Sequence, residues 1–317
     1  MKLTMQLSVK QVALAAICLL LLVAAPWLGG SSYLTGVLTV CLIYAIWSMS
    51  WDFFSGLTGR ENFGYPLFIG IGAYAIGYLN VNHGVSPWLG MAAAMGCAAL
   101  VGVVIGFPTL RLKGPYFALA TLAAASIAQR MVLIFWEVSG GEEGIQGLTP
   151  LVSNPVAFYY FVLAMTLISG AVLVGLARSR WGILLRAIRG DEASCQAAGI
   201  NITFYKIAAL VISAAFAGMG GALYASYQMQ VSPQILSVMM LVAVVTMVYV
   251  GGIGTVYGAA GGAILLSLMG ELLRSVGEYR LLVYALVLIL VIFFLRNGLI
   301  APIWKRLGAA ASKGAAK

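Results

Sequence analysis

The segment "VAFYYFVLAMTLISGAVLVGLA", residues 156–177, decides the fold class of this chain. It holds no charged residue and is long enough to cross a bilayer as one helix, which takes about 20 mostly apolar residues. Backbone polar groups in hydrocarbon must be bonded within their own segment, so the default spanning element is a helix. The segment therefore predicts a transmembrane helix.

Similar segments recur along the chain, which is 62% hydrophobic and 9% charged, with a mean hydropathy of +1.01. That is too apolar for a soluble α/β domain. We predict an all-α, polytopic integral membrane bundle of about 8–10 transmembrane helices, some broken or re-entrant, in one domain over residues 1–317. The predicted crossings are residues 10–28, 34–55, 62–80, 88–108, 115–136, 156–177, 206–227, 235–253, 257–273 and 281–296.

The distribution of Lys and Arg predicts the orientation, because cytoplasmic loops collect these residues. With both termini in the cytoplasm, the loop 178–206 and the tail 297–317 also lie inside, whereas the acidic loop 137–155 lies outside. The net charge of +9 is spread over several loops rather than one folded face, so it predicts topology and not nucleic-acid binding. Residues 1–28 could also be a secretory signal, but no soluble sequence follows them.

The chain offers no recognisable catalytic or metal site. It lacks the G-x-x-x-x-G-K-[ST] pattern of a nucleotide-binding P-loop, and its four cysteines show no C-x-x-C spacing. The single histidine, His83, falls in a predicted external loop without recognisable partners. We therefore expect no catalysis, no metal ion and no cofactor in this chain.

The loop 178–206 contains most of the polarity, in "RAIRGDEASCQAAGINITFYK", residues 186–206. Asp191 can cap a helix, Glu192 favours its positive end, and Gly199 can take the left-handed position after its last turn. These features predict a short helix outside the membrane. So short a helix is marginal alone and normally needs a docking partner. The alternative is an ordinary basic loop that only obeys the positive-inside rule.

Five stretches in the same order carry a resemblance to a known family. They are residues 186–206 with "ALVISAAFAGMGGALYA" (209–225), "SGLTGRENFGYPLFIGIGAYAIGYL" (55–79), "LRLKGPYFALATLA" (110–123), "SGGEEGIQGL" (139–148) and "VGGIGTVYGAAGGAIL" (250–265). The chain resembles the permease subunits of branched-chain amino acid ABC importers, specifically the LivM type. The resemblance implies that the loop 178–206 carries a coupling helix that docks on a separate ATPase subunit.

The residues assigned to this coupling role are Arg186, Arg189, Asp191, Glu192, Ala193, Ala197, Gly199 and Asn201. The sequence departs from the usual importer pattern E-A-A-x-x-x-G at two points: Ser194 takes the third place, and Gly199 follows Glu192 by seven residues rather than six. That spacing resembles this subfamily.

The resemblance also implies a translocation path between two permeases. The residues expected to line it are Gly56, Gly59, Asn62, Phe63, Gly64, Tyr74, Tyr116, Thr121, Arg130, Gly251, Gly252 and Gly254. Close helix packing remains the alternative for the glycines, and it is the favoured reading for Gly218, Gly221 and Ala222.

Arg130 shares a predicted helical face with Ser126, Gln129 and Glu137. It either attracts an anionic group of the substrate, or it reaches the outer interface and pairs with Glu137.

The function expected is a permease subunit in the bacterial inner membrane that forms a path for leucine, isoleucine and valine. Expected partners are the bilayer, a second permease, two ATPase subunits that hold ATP and Mg, and an external solute-binding protein. Urea or short amides and aromatic or organic acids are alternative substrates. The rival class is an ion-coupled secondary transporter, which would place ionisable groups at the midplane; Arg130 and Asp52 are the few candidates.

Overall fold

A computed structural model describes residues 9–29, 32–112 and 114–272, together with Leu286, Ile289, Gly298, Leu299 and Pro302. Apart from those five positions, the crossing predicted at 281–296 and the tail 297–317 lie outside the described residues. The described chain is helical almost throughout, which confirms the predicted all-α bundle.

Twelve α-helices are described, with a π-helix at Asp52–Gly56 and a 3-10 helix at Pro233–Leu236. The α-helices are α1 Val9–Gly29, α2 Ser32–Trp51, α3 Tyr65–His83, α4 Pro87–Thr109, α5 Pro115–Ile134, α6 Trp136–Ser139, α7 Pro155–Arg178, α8 Arg180–Gly190, α9 Glu192–Ala197, α10 Ile202–Gln228, α11 Val238–Gly251 and α12 Tyr257–Leu272. Two short strands, β1 (Ile145–Gln146) and β2 (Gln230–Val231), pair antiparallel.

Five of the described helices are long and apolar enough to cross a membrane: Ser32–Gly56, Pro87–Thr109, Pro115–Ile134, Pro155–Arg178 and Ile202–Gln228. At four further predicted crossings the chain also forms helices, namely α1, α3, α11 and α12. Glycines and two asparagines make α3 more polar than its neighbours, and α11 has only 14 residues. These two depart most from a simple spanning helix.

The helix boundaries follow local sequence signals. Pro87, Pro115 and Pro155 each begin a helix, at a position whose N–H would have no partner inside the helix. Gly84 ends α3 in the left-handed conformation, with φ +61°. The prediction that Gly114 and Pro115 mark a helix start is confirmed.

The core forms where α10 packs against α3 and α4 at backbone distance. A Cβ atom added to Gly221 would lie 2.1 Å from the carbonyl oxygen of Ile69, and one added to Gly218 would lie 2.7 Å from that of Ala94. Only glycine permits such an approach, which confirms close packing as the role of Gly218 and Gly221.

The loops that join the helices contact one another at the two ends of the bundle. At one end, the π-helix and the loop after it meet α8, α9 and the turn 252–256. At the other end, β1 pairs with β2, and Asn80 accepts hydrogen bonds from Thr149. This grouping matches the alternation of the predicted crossings, and the first end comprises the loops predicted to be cytoplasmic.

The prediction that Arg130 and Glu137 share a helical face is wrong. Helix α5 ends at Ile134, and Glu137 belongs to the separate short helix α6. Within the described residues no ion pair joins the two side chains.

Candidate coupling segment and translocation path

The loop 178–206 folds into two helices, α8 and α9. The hydroxyl oxygen of Ser179 accepts a hydrogen bond from the N–H of Trp181, which caps α8. Leu185 and Ile188 bury the apolar face of α8. A Cβ atom at Gly182 would lie 2.0 Å from the carbonyl oxygen of Ala177, so α7 and α8 meet at a tight corner that requires glycine.

Helix α9 confirms that this segment forms a short helix, and its location outside the membrane stays a prediction. The carboxylate of Asp191 accepts hydrogen bonds from the N–H groups of Ala193 and Ser194, at 2.9 and 3.3 Å. Gly199 is left-handed, with φ +79°, and the N–H of Ile200 bonds back to the carbonyl of Cys195. The hydroxyl of Ser194 and then the two amides stabilise the carboxylate, so the pKa of Asp191 lies below its usual range.

Glu192 attaches α9 to the membrane bundle. Its carboxylate lies 2.6 Å from the Nζ of Lys206 and 2.7 Å from the guanidinium of Arg60, which also donates to the carbonyl of Leu112. Burial alone would raise the pKa of Glu192, but the hydrogen bonds from Lys206 and Arg60 outweigh it and hold the pKa below the usual value. The sequence did not identify Arg60 and Lys206 as site residues, because each is also explained by the excess of Lys and Arg in cytoplasmic loops.

Both candidate arginines of α8 donate to backbone carbonyls of this chain. The guanidinium of Arg186 lies 2.9 Å from the carbonyl oxygen of Ala177. The guanidinium of Arg189 lies 2.5 Å from that of Gly56, at the end of the π-helix. Both side chains remain exposed overall.

The other coupling candidates lie on the surface. Ala193, Ala197 and Gly199 are exposed, and so is Asn201, whose side chain caps α10 by accepting from the N–H of Phe204. One side of α9 is thus fixed to the bundle by Glu192, while the other side faces away from it.

Asp52 is fully buried in the π-helix. Its two carboxylate oxygens accept hydrogen bonds from the N–H groups of Gly254 and Val256, both at 2.6 Å. π-Helical turns occur frequently at functional sites. Sequence reasoning weighed Asp52 only as an ion-coupling group and missed this contact, which joins residues about 200 positions apart.

Two of the predicted path residues, Phe63 and Gly64, contact a third, Thr121 of α5. The N–H of Phe63 donates to the hydroxyl of Thr121 at 3.2 Å, and a Cβ atom at Gly64 would lie 2.6 Å from the carbonyl oxygen of Thr121. Asn62 is buried beside them and its Oδ1 accepts from the N–H of Gly64, but its Nδ2 has no hydrogen-bond partner among the described residues. These residues form one compact site at the predicted cytoplasmic end.

The remaining path candidates are dispersed. Tyr74 lines a cavity of about 230 Å³ between α3 and α5. Tyr116 is exposed, as is Arg130. Gly251 packs against the backbone of Gly258, a contact that by itself accounts for a glycine at this position.

Four glycines that were predicted to line the path lie in or next to the π-helix and the turn 252–256: Gly56, Gly59, Gly252 and Gly254. That these glycines line a path stays a prediction. Among the described residues, no three His, Cys, Asp or Glu side chains are grouped as metal ligands.

The sequence that forms this membrane bundle matches a known family. The model of the family described as "branched-chain amino acid transport system / permease component" matches residues 33–295. The chain belongs to this permease family.

Two relatives of the permease are the high-affinity branched-chain amino acid transport system permease proteins LivM of Escherichia coli K12 and Salmonella typhimurium. They are 32% and 30% identical to it, over 92% of this chain and 76% of each relative. The fructose import permease protein FrcC of Rhizobium meliloti is 25% identical over 68% of this chain and 64% of its own length. No solved structure matches the permease.

Proposed function

We propose that this permease is the membrane subunit of an ABC importer, and that α9 is the helix on which a separate ATPase subunit docks. The observation that carries this proposal is the attachment of α9. Glu192 fixes one side of the helix through Arg60 and Lys206, and the exposed side carries Ala193 and Ala197. Small residues on an exposed helical surface let a partner approach closely.

The proposed assembly contains a second permease, two ATPase subunits and an external solute-binding protein. ATP and Mg would be held by the ATPase subunits, so this chain would supply the path and no covalent chemistry. The importer would lie in the bacterial inner membrane, with both termini of this chain and the segment 178–206 in the cytoplasm. The positions of Lys and Arg support that orientation.

The proposed substrates are leucine, isoleucine and valine, which the names of the LivM relatives support. A relative named as a fructose permease shows that similar chains differ in named substrate, so urea, short amides and organic acids stay as alternatives. The ion-coupled alternative loses its clearest candidate, because both carboxylate oxygens of Asp52 accept bonds from backbone amides.

Affinity co-purification from membranes tests the docking helix. Wild-type permease should bring down an ATPase, and Ala197→Arg should lose it, because a long cation would stand on the exposed side of α9. Ala157→Arg is the matched control, since it makes the same substitution at an exposed helical position at the opposite end of the bundle. Reversing the charge of Glu192 would be a poorer test, because it would place a third cation beside Arg60 and Lys206.

Uptake into proteoliposomes then tests the reaction and the substrate. Radiolabelled leucine should accumulate only with ATP and the solute-binding protein, and valine and isoleucine should compete where urea and benzoate do not. A permease that purifies without an ATPase and transports on an ion gradient would instead be a secondary transporter.

A further inference from the structure

The π-helix Asp52–Gly56 lies between the helix pair α8 and α9 and the turn 252–256, which joins α11 to α12. On one side, its first residue, Asp52, bonds to the amides of Gly254 and Val256. On the other side, the carbonyl of its last residue, Gly56, accepts from Arg189 of α8. Two elements that are distant in sequence are thus bonded to the same five residues.

The turn 252–256 needs this support because the backbone of one of its residues, Val256, is strained. Gly252, Gly254 and Val256 have φ of +110°, +81° and +56°. A positive φ is unfavourable for a β-branched residue such as Val256, which is also buried. Hydrogen bonds from amides to a carboxylate are stronger than those between neutral groups. The carboxylate of Asp52 therefore holds the turn in a conformation that it would not adopt alone.

The side chain of Arg189 packs closely against glycines of the loop after the π-helix and of the turn. A Cβ atom at Gly59 would lie 2.7 Å from its Cγ, and one at Gly254 would lie 3.4 Å from its Nη1. A Cβ atom at Gly56 would lie 2.1 Å from Asp52 Oδ1 and 2.7 Å from the amide nitrogen of Gly254. Glycine at these positions lets the guanidinium, the π-helix and the turn come together, which explains the glycines without a role in a path.

We propose that Asp52 and Arg189 are positioning residues that make the turn 252–256 move together with α8. Displacement of α8 and α9 by the ATPase would pass from Arg189 to the Gly56 carbonyl, through the π-helix, and from Asp52 to the turn. The ends of α11 and α12 would then open or close the permease at its cytoplasmic end. This inference rests on the proposed function, since it needs an ATPase that moves the cytoplasmic helices.

The test follows the turn directly in the complete reconstituted importer. All native cysteines are replaced and Ile253→Cys is introduced, because Ile253 lies in the turn and is partly exposed. Its labelling rate with a membrane-impermeant maleimide is compared without nucleotide and with ATP plus vanadate. Nucleotide should change the rate at least fivefold, the lower end of typical coupling between sites, about 5–150-fold.

Two substitutions break the connection at different points. In Asp52→Asn, one acceptor oxygen becomes an NH₂ group, which would face the backbone N–H of Gly254 or Val256 as a second donor. In Arg189→Ala, the hydrogen bond to the carbonyl of Gly56 is lost. Both should retain ATPase binding and ATP hydrolysis, lose the nucleotide-dependent change in labelling, and take up substrate about tenfold more slowly. The double variant should be no worse than either single variant, because both act on the same connection. Arg189→Lys keeps a charged donor and should recover part of the uptake.

Arg111→Ala is the control, because Arg111 is another arginine at the same end of the bundle, whose guanidinium lies over the ring of Phe107. It should behave as wild type in all four measurements, namely ATPase binding, ATP hydrolysis, labelling and uptake. The proposal is overturned if Asp52→Asn and Arg189→Ala keep the nucleotide-dependent labelling. It is also overturned if they lose the ATPase, since the residues would then only build the docking surface. A wild-type permease that binds no ATPase would instead contradict the proposed function.

Discussion

At the scale of single residues, the attachment of α9 depends on the charge of Glu192. Its carboxylate meets two cations, Arg60 and Lys206, and the side chain of Lys206 is almost fully buried. A buried ammonium without a counter-ion is unfavourable. Removing the negative charge therefore affects α9 and the start of α10 together.

The pH dependence of this attachment has a definite sign. The pKa of Glu192 is lowered in the folded protein from its usual value of 4.5. The attachment therefore stabilises the fold at pH values above 4.5 and is lost as the pH falls through the lower folded pKa. Amide exchange of residues 191–201, corrected for the intrinsic rate, should stay slow from pH 7 down to 5 and accelerate below the folded pKa.

Glu192→Gln should exchange about tenfold faster at pH 7, since it loses hydrogen bonds to charged partners. Its protection should fall less than that of wild type on acidification, because only the Asp191 cap then remains to titrate in α9. Glu137→Gln removes an exposed carboxylate at the opposite end and should leave these residues unchanged. Equal pH profiles for wild type and Glu192→Gln would mean that the ion pairs do not hold α9.

At the scale of helices, α3, α4 and α10 are held together by contacts that leave no space for a side chain. Gly72 meets Gly218 across the α3–α10 contact, where an added Cβ atom would lie 2.2 Å from a carbonyl oxygen. Helices in a membrane gain little from burying apolar side chains against each other, so van der Waals contact between close backbones stabilises the bundle instead.

Gly221→Ala should therefore destabilise the permease. Its new methyl group would meet the Ile69 carbonyl, and overpacking of this kind typically costs about 1–3 kcal/mol. Gly96→Ala is the matched control, because nothing lies within 4 Å of its added Cβ atom. In detergent, Gly221→Ala should unfold at a lower temperature than wild type, and Gly96→Ala should not. Equal midpoints for the two variants would show that the α3–α10 contact is looser than described.

Local sequence signals predicted some elements and not others. Asp191 and Gly199 predicted α9, because capping depends on residues within the helix itself. The π-helix was not predictable, because the sequence "DFFSG" has no pattern that distinguishes it from an α-helix. The hydrogen bonds that Asp52 accepts come from a turn about 200 residues away, which local sequence does not reveal. The end of α5 at Ile134 was also missed, because no glycine or proline marks it.

At the scale of the whole molecule, the order of apolar segments predicted the bundle, but it did not predict which loops touch. The sequence placed Arg60 and Glu192 on the same side of the membrane, and the structure brings them to 2.7 Å. A separation of 132 residues carries no periodic signal, so single-sequence reasoning could assign each charge a side but not a partner.

The orientation of the bundle is tested by labelling from one side. Ala197→Cys and Glu142→Cys, each in a cysteine-free background, place thiols at exposed positions at opposite ends. In intact cells with a permeable outer membrane, an impermeant maleimide should label Glu142→Cys. It should reach Ala197→Cys only after the inner membrane is opened. The reverse pattern would invert the predicted topology.

Helix α10 has 27 residues and is about 40 Å long, whereas the hydrocarbon core of a bilayer is about 30 Å thick. At the average tilt of about 20° the helix still spans about 38 Å along the bilayer normal, so part of it would extend into the lipid headgroups. Lys206 lies near its first turn, where it holds Glu192. Lipids with longer acyl chains would draw that turn toward hydrocarbon, so we expect a thicker bilayer to weaken the attachment of α9.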